Sequence, residues 1–146
     1  MKEDFLHFVW KFQKFSLHNL QTTQGESIEI AHPGDHNLYS GPDFMAAKIK
    51  LGSLLWAGNV EIHCKTSDWF LHRHHSDPVY DSIVLHVVWE DDVELFRSDG
   101  SLMPTLVLSS RVDQEQHIKY NRLVNLLPRF IPVSYTHLTL PTKLEV

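Results

Sequence analysis

Cysteine is almost absent from this sequence, since Cys64 is the one cysteine among 146 residues. A single thiol excludes an internal disulfide framework and favours a reducing compartment, so a cytoplasmic location is expected. No apolar run approaches the ~20 residues that a membrane span requires, so no membrane partner is expected. Charged or polar side chains at Glu3, Asp4, His7 and Lys11 interrupt the first segment. This interruption argues against a secretory signal peptide.

Basic residues are also few, because 13 Lys and Arg stand against 18 Asp and Glu, for a net charge of −5. This balance disfavours a protein that coats nucleic acid, although an enzyme acting on nucleic acid can carry an acidic metal site. The sequence contains no Walker-type phosphate loop, no Gly-x-Ser-x-Gly elbow and no dinucleotide fingerprint. A hydrophobic content of 42% and a charged content of 21% are typical of one modest globular domain.

The hydrophobic pattern predicts an α/β (α+β) fold in which helices flank a mixed, twisted sheet. Residues 43–51 and 54–65 alternate like two antiparallel strands, and 82–90 form an apolar run typical of a central strand. The inward face of the first of these strands is expected to comprise Met45, Ala47, Ile49 and Leu51. The other expected elements are a helix at 3–15, a hairpin at 20–31, a short helix from Trp69, a hairpin of 93–97 with 102–108 around Asp99-Gly100, and a helix at 113–127 that ends before Pro128.

Polar residues alternate along the strand at 54–65. Residues i, i+2 and i+4 of a strand share one face, so Glu61, His63 and Lys65 are expected side by side. Asp43 begins the preceding strand, and an antiparallel return would place it beside Glu61. Two carboxylates on adjacent strands can bind Mg²⁺ or Mn²⁺. We therefore predict Asp43 and Glu61 as metal ligands. His63 and Lys65 are predicted as catalytic residues that orient or activate water.

A histidine-rich segment offers an alternative metal site. It contains His72, His74, His75 and Asp77. Imidazoles are common zinc ligands, so this segment together with His63 predicts a Zn²⁺ centre. A solvated histidine-rich helix end explains the same residues, because their spacing is not that of a His-Glu-x-x-His motif. His86 lies inside the apolar run at 82–90 and is expected to be a core histidine with one hydrogen bond.

Several longer motifs occur in the order found in one bacterial family. They are Glu3-Asp-Phe-Leu-His, Ser40-Gly-Pro-Asp-Phe44, Trp56-Ala-Gly-Asn-Val-Glu-Ile-His63, Ser67-Asp-Trp69 and Leu85-His-Val-Val88. On these motifs the chain resembles the domain of unknown function 2851 family over residues 1–132. Members of that family are longer, so the resemblance implies that 1–132 are the N-terminal part of a single α/β domain of a longer, truncated protein. Residues 133–146 resemble a translated sequencing adapter and are expected to be a non-native tail.

A second, remote resemblance concerns the Pro42-Asp43 pair followed by Glu61 on the next strand. This pattern, with its order of helix, three strands, helix and strand, resembles the PD-(D/E)XK nuclease superfamily. The resemblance implies a restriction-endonuclease-like core in which Asp43 and Glu61 hold Mg²⁺ and a lysine activates water. His63 occupies the position of that lysine, which is a departure from the pattern. Lys65 lies one step further along the same face.

Three functions are compatible with these residues. The leading hypothesis is a Mg²⁺-dependent phosphodiesterase that acts on nucleic acid, which makes nucleic acid a candidate partner. The first alternative is a non-catalytic binding or scaffold module of the same fold. The second is a Zn²⁺-dependent hydrolase that uses His63, His72, His74 and His75.

Overall fold

The computed structural model describes residues 2–130. Residues up to Val112 form one compact unit, and a second unit begins at Asp113. The tail predicted at 133–146 lies outside the described residues. Among the described residues, no helix combines the length and the apolarity needed to cross a membrane. Every candidate site residue belongs to the first unit.

The first unit is built on a mixed six-stranded sheet. Its strands are β1 (Ile28–His32), β2 (Asp35–His36), β3 (Phe44–Leu51), β4 (Leu54–Lys65), β5 (Ile83–Glu90) and β6 (Thr105–Val107). The order across the sheet is β1-β3-β4-β5-β6, and β2 also pairs with β3. β1, β2 and β4 run antiparallel to β3, whereas β4, β5 and β6 are mutually parallel. The predicted α+β fold with a mixed sheet is confirmed, and the restriction-endonuclease-like core stays a prediction.

Strands β4 and β5 form the centre of the core. Six consecutive residues of β5, 83–88, are buried, as an apolar run predicts for a strand that is covered on both faces. In β4, residues 60–63 are also buried without alternation. The parallel register pairs Glu61 with His86. A core histidine of β5 is therefore adjacent to the polar residues of β4.

Gly58 lets these two strands approach closely. A Cβ atom at this position would lie 2.5 Å from Cγ1 of Val84 and 2.7 Å from the carbonyl oxygen of Ser82. Contacts that short are not available to any side chain, so the close approach depends on glycine. The register of β4 against β5 shifts at the next two residues, Asn59 and Val60. This irregularity of the β4–β5 pairing thus begins immediately after Gly58.

A bulge in β3 changes which of its residues face the core. Met45 was expected to face inward, but its side chain is 40% exposed. The register slips between Phe44 and Ala47, and Ala46 has a positive φ of 60°. One extra residue reverses the alternation of side chains along a strand, so Phe44 and Ala47 are both buried. The expectation for Met45 is wrong because the alternation is interrupted immediately after it.

The first helix, α1 (Glu3–Lys11), covers the sheet with an apolar face. Its buried residues are Phe5, Leu6, Val9 and Trp10, and it packs against β4. The helix predicted as far as residue 15 ends at Lys11. Gln13 adopts a left-handed φ of 52° that a right-handed helix does not allow. The amphipathic helix is confirmed, and its predicted end is four residues too late.

The remaining helical segments are short except for the last. The helix α2 (Asp68–Leu71) is followed by two 3₁₀ turns at His74–Ser76 and Pro78–Ser82, and α3 spans Gln114–Phe130. The stop predicted before Pro128 is wrong, because the backbone hydrogen bond that proline removes belongs only to the last turn of this helix. The hairpin around Asp99-Gly100 forms one isolated bridge, Phe96 with Leu102. β6 then pairs in parallel with β5.

Candidate metal centre

Two carboxyl groups meet at the start of β3. Phe44 pairs with Val60, so the preceding residue, Asp43, lies beside Glu61, as the antiparallel return predicts. The backbone N–H of Asp43 donates a hydrogen bond to Glu61 Oε1 at 3.1 Å. The backbone N–H of Ile62 donates to Asp43 Oδ2 at 2.9 Å. The side chain of Glu61 is 5% exposed and that of Asp43 is 20% exposed, so a buried acid lies beside a partly buried one.

This acid pair holds a proton at neutral pH when no cation is present. Burial raises the pKa of Glu61 to about 9, and the neighbouring charge of Asp43 adds to the effect. Burial also raises the pKa of Asp43, although His7 and the N–H of Ile62 oppose this shift. Two carboxylates in one buried site cannot both ionise cheaply. A bound cation would change this balance, because it favours the ionised form of both groups.

Three imidazoles converge on the same place. His63 Nε2 lies 3.1 Å from His72 Nδ1. Glu61 Oε2 lies 3.5 Å from His63 Nε2 and 2.8 Å from His74 Nε2. One ring nitrogen from each of the three histidines falls within 4.8 Å of the other two. We call His63, His72 and His74, with Glu61, the histidine cluster.

Two histidines of the cluster have the spacing of tetrahedral ion ligands. Zinc–nitrogen bonds of 2.0–2.1 Å place neighbouring tetrahedral ligand atoms about 3.3 Å apart. His63 Nε2 and His72 Nδ1 are 3.1 Å apart, and the ring nitrogens of all three histidines lie within 4.8 Å of one another. Burial and His86 lower the pKa of His63 to about 2, and burial lowers the pKa of His74. Both rings are therefore neutral at pH 7, which is the form that binds a metal.

Irregular backbone after α2 delivers two members of the cluster. His72 is the C-cap residue that follows α2, and Arg73 then adopts a left-handed φ of 59° before the 3₁₀ turn that begins at His74. The ring of His74 stacks on Tyr80 with centroids 3.7 Å apart and meets the edge of Trp69 at 5.3 Å. The reversal at Arg73 brings His72 and His74 to the same site. The rings of Trp69 and Tyr80 then hold His74 in place.

Asp92 anchors the beginning of this segment to the end of β5. Its carboxylate accepts hydrogen bonds from Thr66 Oγ1 at 2.7 Å, from the backbone N–H of Ser67 at 2.9 Å and from Ser67 Oγ at 2.7 Å. These bonds lower the pKa of Asp92 to about 2, because hydrogen bonds to a carboxylate favour its ionised form. The chain that leaves β4 is thus fixed immediately before α2.

Three of the residues predicted for a site lie elsewhere. Lys65 is exposed, and its backbone N–H donates to Asp68 Oδ2 at 3.1 Å. His75 is also exposed, with its ring 5.3 Å from that of Phe70. Asp77 is exposed and accepts a hydrogen bond from the N–H of Val79, which caps the second 3₁₀ turn. The structure thus brings together Asp43, Glu61, His63, His72 and His74.

The structure adds two residues of α1 that sequence reasoning missed. His7 Nε2 lies 3.6 Å from Asp43 Oδ2. Glu3 is one helical turn earlier, and burial followed by the charge of Asp43 raises its pKa to about 7. The sequence feature that could have indicated them is their i, i+4 spacing, which places Glu3 and His7 on one face of a helix. That face lies next to the acid pair.

Comparison with known protein families identifies the family of this chain. A family model described as "Protein of unknown function (DUF2851)" matches residues 3–140. The chain belongs to the DUF2851 family. No curated protein and no solved structure matches. The predicted membership of this DUF2851 protein is confirmed, whereas its resemblance to PD-(D/E)XK nucleases stays a prediction.

The buried acid pair predicts that the metal-free DUF2851 protein loses stability as pH rises. An unfolded glutamate releases its proton near its ordinary pKa of 4.5, whereas folded Glu61 keeps its proton up to about pH 9. Stability is therefore lost between these two values as pH increases. We expect the free energy of unfolding to fall by roughly 1 kcal/mol per pH unit between about pH 7 and pH 9. Urea unfolding with a chelator present measures this slope.

The variant Glu61→Gln provides the control for this slope, because an amide does not titrate. The free energy of unfolding of Glu61→Gln should change little between neutral and alkaline pH, whether this variant is more or less stable than the wild type. On the acidic side, the pKa values of His63 and His86, about 2 and about 3, lie below the ordinary 6.5. Stability should therefore also fall as pH drops below 6.5. A wild-type profile that is flat on the alkaline side would contradict the buried, protonated glutamate.

Proposed function

We propose that this protein is a metal-dependent hydrolase whose ion, of the Zn²⁺ class, is held by His63, His72 and His74. The observation that carries the proposal is the convergence of three ring nitrogens within 4.8 Å of one another. Three histidines around one ion are a ligand set of catalytic zinc sites, in which a fourth position remains for water or substrate. Imidazole ligands favour zinc over magnesium, which prefers oxygen.

Glu61 is placed to accept a proton from the attacking water. Its Oε2 atom lies beside two of the three ring nitrogens, so it adjoins the fourth position. The ion would supply a bound water of lowered pKa. Glu61 would accept the proton of the attacking water and return it to the ester oxygen whose bond to carbon or phosphorus breaks. The backbone N–H of Asp43 holds Glu61 by donating a hydrogen bond to its Oε1 atom.

A cleft next to His74 offers room for a substrate. Its volume is about 480 Å³, within the range of small-molecule sites. Aromatic and apolar walls come from Trp69, Tyr80, Phe96 and Met103, and polar groups from Arg97, Ser98, Asp81 and Asp99. A compact organic ester with an aromatic or apolar portion fits such a lining better than a long polyanion.

Metal content and hydrolysis test this proposal directly. Wild-type protein dialysed against Zn²⁺ and then against buffer should retain one ion per chain, measured by elemental analysis. It should hydrolyse chromogenic carboxylic or phosphate esters. A chelator should remove the activity, and Zn²⁺ should restore it. Protein that retains no stoichiometric metal, or a loaded protein without activity on any ester, contradicts the hydrolase.

A second candidate, favoured by the acid pair, is a Mg²⁺- or Mn²⁺-dependent phosphodiesterase acting on nucleic acid. The charge of Asp43 contributes to the raised pKa of Glu61, and a divalent cation bound by both carboxylates would relieve that repulsion. In this alternative His63 or Lys65 orients water, as the PD-(D/E)XK resemblance implies. Lys65 would have to reach back from its exposed position.

Two variants separate the candidates. Glu61→Gln should stop cleavage of plasmid DNA or RNA with Mg²⁺ or Mn²⁺, and it should also impair ester hydrolysis with Zn²⁺. His72→Ala should abolish only the zinc-dependent reaction, because His72 lies outside the acid pair. Absence of both bound metal and cleavage would favour a non-catalytic binding or scaffold module of this fold.

A further inference from the structure

His86 is a buried histidine of β5 with one nitrogen paired and one unpaired. Its side chain is fully buried. Its Nε2 lies 2.7 Å from His63 Nδ1, whereas its Nδ1 has no hydrogen-bond partner among the described residues. A buried polar atom without a partner is costly. An apolar side chain of similar size would remove this cost but would leave His63 Nδ1 without a partner instead, so the contact with His63 is what a histidine supplies here.

The His63–His86 contact determines what His63 can bind. The two nitrogens are 2.7 Å apart, so one carries a proton and the other accepts it. If His86 donates, the remaining proton of neutral His63 lies on Nε2 and occupies the position that an ion needs. If His63 Nδ1 donates, its Nε2 lone pair is directed at His72 and the ion site. His86 then carries its own proton on the unpaired Nδ1.

We propose that His86 is a positioning residue, which accepts the Nδ1 proton of His63 and thereby directs His63 Nε2 at the metal. The inference rests on the proposed metal centre. Metal-binding histidines commonly donate their second N–H to an acceptor that fixes the tautomer and the ring orientation. His86 supplies that acceptor from the neighbouring strand, because the parallel register sets it opposite Glu61.

Two substitutions test the role of His86. His86→Gln keeps an acceptor, because the amide oxygen can take the position of Nε2. His86→Leu removes the acceptor but also removes the unpaired nitrogen. We expect His86→Leu to bind Zn²⁺ 10–100-fold more weakly, with a urea midpoint in the metal-free state close to that of the wild type, because one unpaired buried nitrogen replaces another. His86→Gln should bind within a few-fold of the wild type.

These outcomes distinguish positioning from a merely structural role. A structural role predicts that affinity and metal-free stability fall together, whereas positioning predicts that affinity falls while stability is kept. Nitrogen-15 NMR of the zinc-loaded wild type should show the His63 proton on Nδ1. Unchanged affinity of His86→Leu, or a proton on His63 Nε2 in the loaded protein, would overturn this inference alone. Failure of the wild type to bind Zn²⁺ would overturn the proposed function as well.

Discussion

Replacing His72 with alanine is expected to abolish the stabilisation of this protein by zinc. In the wild type, free Zn²⁺ at about 100 times its dissociation constant should raise the free energy of unfolding by about 2.7 kcal/mol. His72 supplies one of three imidazoles, and two ligands hold an ion far less tightly than three. Because His72 is exposed, its removal leaves the core intact. The effect of the substitution should therefore appear only when zinc is present.

His75→Ala is the matched control for this experiment. The residue type is the same, the position is three residues away, and the side chain is exposed. Its ring lies near Phe70 instead of the histidine cluster. Urea unfolding with and without Zn²⁺ should give His75→Ala the full zinc-dependent increment and His72→Ala none. Equal increments in both variants would mean that the ion binds elsewhere.

Replacing Trp10 with alanine should cost about 3–5 kcal/mol of stability, with or without metal. Trp10 has no exposed surface. Its ring stacks on Phe15 with centroids 6.0 Å apart, and its Nε1–H donates to the carbonyl oxygen of Pro33 at 2.9 Å. The substitution opens a large cavity and leaves that carbonyl without its donor. A loss of this size is a large share of the 5–15 kcal/mol that stabilises a typical domain.

Phe12 provides the comparison, because it is an aromatic residue immediately after the same helix. Its side chain is 55% exposed, so Phe12→Ala should change stability by about 0.5 kcal/mol or less. Urea unfolding in the presence of a chelator measures both variants. A loss for Trp10→Ala below about 1 kcal/mol would contradict a buried anchor. Such a result would place α1 outside the cooperative core.

The strands that carry the acid pair could be predicted from the sequence, and the reasons are local. The alternation through β4 and the turn after β3 predicted that these two strands pair. The register set by that turn would place Asp43 opposite Ile62, and the bulge between Phe44 and Ala47 shifts Asp43 to Glu61. The one-sided exposure implied by alternation did not hold at Glu61 and His63, because both faces of β4 are covered there. Whether both faces of β4 are buried depends on which elements pack against them. The sequence pattern of a single strand does not show which elements those are.

The histidine cluster depended on geometry that the sequence does not reveal. His72, His74 and His75 are equivalent in a residue count, yet one of them points away from the site. The selection is made by the left-handed backbone at Arg73, a conformation that arginine rarely adopts. A helix would pair His72 with His75, three residues later, whereas the reversal at Arg73 brings His72 and His74 together. The approach of His7 required α1 to be docked on the sheet.

The three converging imidazoles lie between residues 63 and 74 of the chain. The entropy lost when a loop closes grows with its length, so bringing these rings together around an ion costs little. An ion held by these rings would therefore join the end of β4 to the reversal at Arg73 across a short stretch of chain.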